Sequence, residues 1–176
     1  EQGYGRIVLV SSSAGIFGSP TQAAYAAAKA GQLGLMNAIA AESEGLGIHC
    51  NLLIPTATTR MAAAMKPEEM EAMGRVWANV GHKLANSGDG DFVTPVAVYL
   101  ASRACTSSQG IYSAAFGRVA RARVVMGNGW LGPRDVPASV EDIAGHANEI
   151  ADLSTAIPIN SINEEFEQIA RQLKAL

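Results

Sequence analysis

The chain has 176 residues, an apolar fraction of 48%, two cysteines and a formal net charge of -3, which fits one domain with a sizeable core. That charge balance implies no basic face for nucleic acid, and two distant cysteines imply no disulfide scaffold. No apolar run reaches the roughly twenty residues that a membrane-spanning helix needs.

Arg6 to Val10 are rich in Ile, Val and Leu, as a buried parallel strand is, and the run ends in Ser11, Ser12 and Ser13. Gly15 and Gly18 then loosen the chain into a loop. Ser19 reads as an N-cap with Pro20 at the first helical position, and alanine-rich text predicts a helix from there to Glu42. Tyr25 and Lys29 share one face of that helix, because they stand four residues apart. Ile48 to Ile54 reads as a second buried strand, ended by Pro55.

From Met61 to Val80 a stripe of Met61, Met65, Met70, Met73, Trp77 and Val80 recurs at helical spacing. It suits an irregular apolar ligand or plain packing on the core. Residues 87–91 form a polar linker, 96–102 lie in an apolar helix, and 110–115 read as the last core strand. VARARVVM then suggests one more strand, and residues 139–151 and 160–173 suggest amphipathic helices. Arg118, Arg121 and Arg123 form a local basic run, which could meet a phosphate or another subunit or could simply blunt an edge strand. His49, His82 and His146 have no ligand spacing, so no metal is expected. Gly127, Gly129 and Gly132 satisfy G-x-G-x-x-G, but Pro133 follows at once and no helix opens there, so the run reads as a turn.

The chemistry concentrates in Ser12, Tyr25 and Lys29. A free phenol, with a pKa of about 10, ionises poorly at neutral pH, and an ammonium ion fixed beside it favours the phenolate. A tyrosine in that setting gives a proton to a carbonyl oxygen as hydride arrives at the carbon, or takes one from an alcohol. Ser12, at the carboxyl end of a strand, could hydrogen-bond the same oxygen. Each feature alone is an ordinary structural one, and the surrounding text selects between the readings.

SSSAG followed by Gly18, AAAKAG around Lys29, and NLLIPTATTRM resemble, in order and spacing, the second half of the short-chain dehydrogenase/reductase family. The resemblance is specific from Gly5 to about Gly117. It implies an α/β fold: the C-terminal part of a doubly wound Rossmann-type parallel sheet with flanking helices in residues 1–117, and a C-terminal extension of strand and helices in 118–176. The family's catalytic set falls on Ser12, Tyr25 and Lys29, the serine thirteen residues before the tyrosine. Lys29 would also meet the nicotinamide ribose of NAD or NADP, with NAD favoured.

Family members usually carry Pro-Gly after the second strand, followed by a threonine on the nicotinamide carboxamide. This chain has Pro55-Thr56 and reaches Thr59-Arg60-Met61 one residue early. Thr59 is therefore assigned the nicotinamide contact, with Pro55 and Thr56 lining the pocket. PTATTRM and the opening EQGYGRIVLVSSSAGIFGS most resemble the dehydrogenase domain of multifunctional β-oxidation enzymes, which oxidise (3R)-hydroxyacyl-CoA thioesters. The resemblance thus implies a small hydrophobic substrate such as an acyl-CoA, with the methionine-rich stretch as a substrate lid. It also implies a homodimer or homotetramer in the cytoplasm, with the peroxisome left open. The family's glycine-rich phosphate loop and catalytic asparagine do not precede Arg6, so the chain is expected to hold no dinucleotide by itself. The alternatives are a carbonyl or steroid reductase of the same family, and an inactive fragment serving as an interaction module.

Overall fold

The apolar run after Gly5 forms strand β1 (Gly5–Val10), which pairs in parallel with β2 (Ile48–Thr56), itself parallel to β3 (Ile111–Ala115). The computed structural model describes residues 2–60, 68 and 87–174. It divides into two compact units, Glu1–Ala122 and Arg123–Leu176. In the first, β4 (Arg118–Ala122) closes the sheet antiparallel to β3, in the order β1-β2-β3-β4. Phe116 (φ 52°) and Gly117 (φ 80°) make the two-residue turn between them, the left-handed pair that matches the twist of a hairpin.

Strand alternation sorts the core into two layers, one on each face of the sheet. On one face Cys50, Leu52, Ile54 and Ile111 pack with Met36, and with Leu33 and Ile39 of helix α2 (Ala23–Glu42). On the other, Leu53 and Ala114 pack with Val93, and with Val96 and Leu100 of helix α3 (Thr94–Ala101). The first unit is therefore an α/β sheet covered by helices on both faces, as expected. Cys50 and Cys105 are both fully buried, one in each layer, and burial pushes the Cys50 thiol up from its ordinary value.

One buried polar residue interrupts β2. Asn51, at 0% exposure, donates from Nδ2 to the Ser107 carbonyl (2.9 Å) and accepts the Gly110 N–H at Oδ1 (2.9 Å). Ser107 Oγ in turn lies 2.7 Å from the Tyr112 hydroxyl. Sequence distance is thus converted into one connected network that pins the loop leading into β3.

The second unit has its own short ladder, β5 (Val125–Met126) antiparallel to β6 (Ile157–Pro158), with α4 (Val140–Gly145), α5 (Ala147–Ile150) and α6 (Ile162–Lys174). Ser139 and Asp142 form a reciprocal capping box at the start of α4. The two Ser139 hydrogen bonds hold the Asp142 carboxyl below its ordinary value. Buried Gln168 donates from Nε2 to the Gly127 carbonyl (3.1 Å) and to Asn128 Oδ1 (3.2 Å), tying α6 to the loop after β5.

Several local expectations give way. The text from Ser13 to Phe17 is not a loop but a short helix, α1, closed by Gly18 (φ 82°). Helix α2 begins at Ala23, not at Ser19 and Pro20, because Thr21 turns left-handed (φ 64°) and breaks the helical path. Pro55 does not end β2. Leu52 sends its N–H to β3 and Leu53 its carbonyl to Ser11, so by alternation Pro55 faces the β1 side. There the β1 ladder has already ended at Val10, and a missing N–H leaves nothing unpaired. VARARVVM is two strands, with Arg118–Ala122 in the main sheet and Val125–Met126 in the second unit.

Three substitutions test this packing. Asn51→Leu keeps the volume but strands the Gly110 N–H and the Ser107 carbonyl. At about 1–3 kcal/mol for each unpaired group it should lower stability by about 2–6 kcal/mol, read as a lower urea midpoint with unchanged slope. In Gly15→Ala the new Cβ would stand 2.7 Å from the Lys29 carbonyl carbon. Helix propensity favours alanine by about 1 kcal/mol, so a fall in melting temperature shows the contact winning, by about 1–3 kcal/mol gross. At Gly31, where nothing lies within 4 Å of an added Cβ, the same change should raise it.

Candidate active site

The site is built where β1 ends. The N–H of Ser11 bonds the Leu53 carbonyl at 2.8 Å, the last rung between the two strands. Ile7 and Leu9 pack toward the α2 layer, so Ser11, in phase with them, turns its side chain the same way. It is buried, at 3% exposure, and its Oγ donates to the Lys29 carbonyl at 2.8 Å. Ser12 follows in extended conformation (φ -154°, ψ 153°) and serves as N-cap of α1, its Oγ accepting the Ala14 N–H at 3.2 Å.

Helix α2 carries the other two residues. Tyr25 is 45% exposed near its start. Lys29, one turn on and half-buried, holds its Nζ 5.8 Å from the centre of the Tyr25 ring. The same Nζ donates to the Val10 carbonyl at 3.0 Å, so the ammonium sits at the carboxyl end of β1. Between Ala23 and Glu42 only Lys29 and Glu42 are charged, and Lys29 is the one that reaches the strand end.

Pro55 and Thr56 end β2 beside this point, since Leu53 is the partner of Val10. Thr58 N–H bonds the Gly88 carbonyl at 2.6 Å. Thr59 lies exposed beyond the strand. The structure thus brings Tyr25, Lys29 and the strand end before Ser12 together, and sets Pro55 and Thr56 alongside. The stripe of Met61, Met65, Met70, Met73, Trp77 and Val80 falls outside the described residues.

Two residues in this arrangement escaped the reading of the sequence. Ser11 was one of three consecutive serines, and only the phase of the strand distinguishes the one that faces α2. Gly15 read as a loosener. In the structure it is where α1 touches the backbone of Lys29 and Ala30, with no room for a Cβ.

The donor set fits the nicotinamide end of a dinucleotide: an ammonium and a phenol one helical turn apart at the carboxyl edge of a parallel sheet. The glycine run at 127–132 does not fit the pyrophosphate. Gly127 lies against the Asp152 carbonyl, the Trp130 ring fills the space at Gly132, and the next helix begins only at Val140.

Known proteins similar to this chain fall in one family. Residues 1–71 match the sequence model described as short chain dehydrogenase. A short-chain type dehydrogenase/reductase of Mycobacterium tuberculosis is 38% identical over 156 residues, covering 89% of this chain and 49% of the relative. The peroxisomal multifunctional enzyme type 2 of Mus musculus is 31% identical over 174 residues, covering 98% of this chain and 22% of the relative. The solved structure of the full-length Drosophila melanogaster enzyme of that name superposes with a TM-score of 0.79 at 27% identity, over 99% of this chain and 30% of that one. The chain spans about half or less of the length of these relatives. With 38% identity to a short-chain type dehydrogenase/reductase over 89% of its length, and the family's sequence model matching through β1, α2 and β2, the chain belongs to the short-chain dehydrogenase family.

Proposed function

We propose that this chain carries the proton-transfer half of an oxidoreductase that moves hydride between a nicotinamide cofactor and a secondary alcohol or ketone, with a 3-hydroxyacyl-CoA as substrate. The observation that carries the reading is Lys29 Nζ, fixed on the Val10 carbonyl at 3.0 Å while lying 5.8 Å from the Tyr25 ring centre. A nicotinamide held by Lys29 and Thr59 would supply the hydride acceptor for the carbinol carbon. Tyr25 Oη takes the hydroxyl proton as the carbonyl forms, and returns it in the reverse direction. Ser12 Oγ accepts from Ala14, which leaves its own proton to donate to the substrate oxygen and hold it in line. Lys29 is the cation beside the phenol and the donor to the nicotinamide ribose. Pro55, Thr56 and Thr59 line the nicotinamide pocket.

NAD is favoured over NADP by the resemblance to the β-oxidation enzymes, and the acyl-CoA substrate rests on the same resemblance. The location is cytoplasmic, with a peroxisomal one supported by the multifunctional enzymes of that compartment. The nearly uncharged outer side of α2, with Leu35 half-exposed, supports a homodimer or homotetramer.

In the active enzyme, Tyr25→Phe keeps the ring and removes the hydroxyl, so turnover should fall by about 10²–10⁴-fold, the usual loss for an acid/base group. A variant retaining most of its kcat would overturn the assignment. The substrate class is tested by chain length. Each further buried methylene is worth up to about 0.8 kcal/mol, so kcat/KM should climb along a 3-hydroxyacyl-CoA series until the pocket is full. Indifference to chain length, or activity confined to rigid polycyclic alcohols, would replace the acyl-CoA with a steroid or general carbonyl substrate.

A further inference from the structure

A Tyr–Lys pair on a helix and a serine after a strand work on one substrate oxygen only if helix and strand keep a single height and rotation. We propose that Ser11 is the positioning residue that sets this alignment. The proposal rests on the reading of Ser12, Tyr25 and Lys29 given above.

The bonds form a closed ring. Lys29 reaches from α2 to β1 through Nζ and the Val10 carbonyl (3.0 Å), and Ser11, the next residue, reaches back through Oγ to the Lys29 carbonyl (2.8 Å). The third side is covalent, because Ser11 is joined to Val10 before it and to Ser12 after it. Side chain and backbone of the same lysine are therefore both tied to the segment that ends in Ser12. Sliding α2 by one residue, or rotating it by one position, breaks both ties.

The helix does not need this donor for its own satisfaction, since Lys29 lies mid-helix, where its carbonyl already faces the N–H one turn on. Nor does the core need a hydroxyl there: Ser11 is 3% exposed, and a small apolar side chain would fill the space without a polar group to satisfy. What the hydroxyl adds is direction. Packing at Gly15 limits how closely α1 and α2 approach, but a van der Waals contact does not choose a register. A hydrogen bond of fixed length and angle does. Ser11 touches neither substrate nor cofactor in this scheme and acts through Lys29.

The test compares Ser11→Ala, which deletes the tie, with Ser11→Thr, which keeps a hydroxyl, on the active enzyme and at a temperature where circular dichroism shows each variant fully folded. Ser11→Ala should lose about ten- to a hundredfold in kcat with the KM for the alcohol substrate changed less than about twofold, the pattern of a misplaced catalytic group and not of lost substrate binding. Ser11→Thr should recover most of the loss. A second readout needs no turnover: in ¹⁵N-lysine-labelled protein, the Lys29 Nζ proton resonance held by the Val10 carbonyl should vanish in Ser11→Ala and return in Ser11→Thr. An unchanged kcat in Ser11→Ala, a persisting Nζ resonance, or an equal deficit in both variants would overturn the proposal. The Tyr25→Phe variant separates the two claims. If it is inactive while Ser11→Ala is not, the positioning role alone falls. If Tyr25→Phe keeps its turnover, the reading of the reaction falls, and a persisting Nζ resonance overturns the tie as well.

Discussion

Everything proposed for this chain depends on the distance between the end of β1 and one turn of α2. Three consecutive residues at that strand end do three different jobs. Val10 offers its carbonyl to the Lys29 ammonium, Ser11 donates to the Lys29 backbone, and Ser12 turns the chain into α1 by capping it. Each such bond is worth only about 1 kcal/mol net, so their importance is geometric. They give a definite register to the first turns of a helix whose large apolar contacts with the sheet, Leu33, Met36 and Ile39, all lie further along it.

The part of the helix before Leu33 is free of strong packing directions for a reason visible in its composition. Between Ala23 and Glu42 the side chains are mostly small, and Met36 alone among them is fully buried. Small side chains allow close approach and leave sliding unpenalised. Gly15 exploits the first property by bringing α1 onto the backbone of Lys29. The polar ties to Val10 and Ser11 correct the second.

Strand β2 supplies the frame for both. It lies between β1 and β3, is buried on both faces, and feeds one layer of core through Cys50, Leu52 and Ile54 and the other through Leu53. Asn51 is tolerated within it because both its amide nitrogen and its oxygen find backbone partners in the loop before β3. Running past the end of β1, the same strand carries Pro55 and Thr56 to the carboxyl edge. The second unit uses a comparable device on a smaller scale, with Gln168 as a buried donor to the loop at Gly127 and Asn128. There Gly127 and Gly132 serve close packing and Gly129 a left-handed turn (φ 64°), and no helix opens at them as a phosphate loop requires.

The sequence by itself determined the elements with strong periodicity: β1 from its aliphatic run, the body of α2 from its alanines, β3 from its position, and the Tyr25–Lys29 spacing that places both on one helical face. Those are local properties, set by side-chain type and by the 3.6-residue and two-residue repeats. It misjudged the stretch from Ser13 to Pro20, where glycine and serine admit helix, turn and loop at similar cost, and only the seating of Gly15 on Lys29 decides for a helix. It also ended β2 too early, because whether a proline breaks a strand depends on which neighbour its missing N–H faces. The tertiary structure alone separated Ser11 from Ser12, identical in type and adjacent in sequence. A strand turns successive side chains to opposite sides, and only the assembled sheet shows that one of those sides holds the backbone of Lys29.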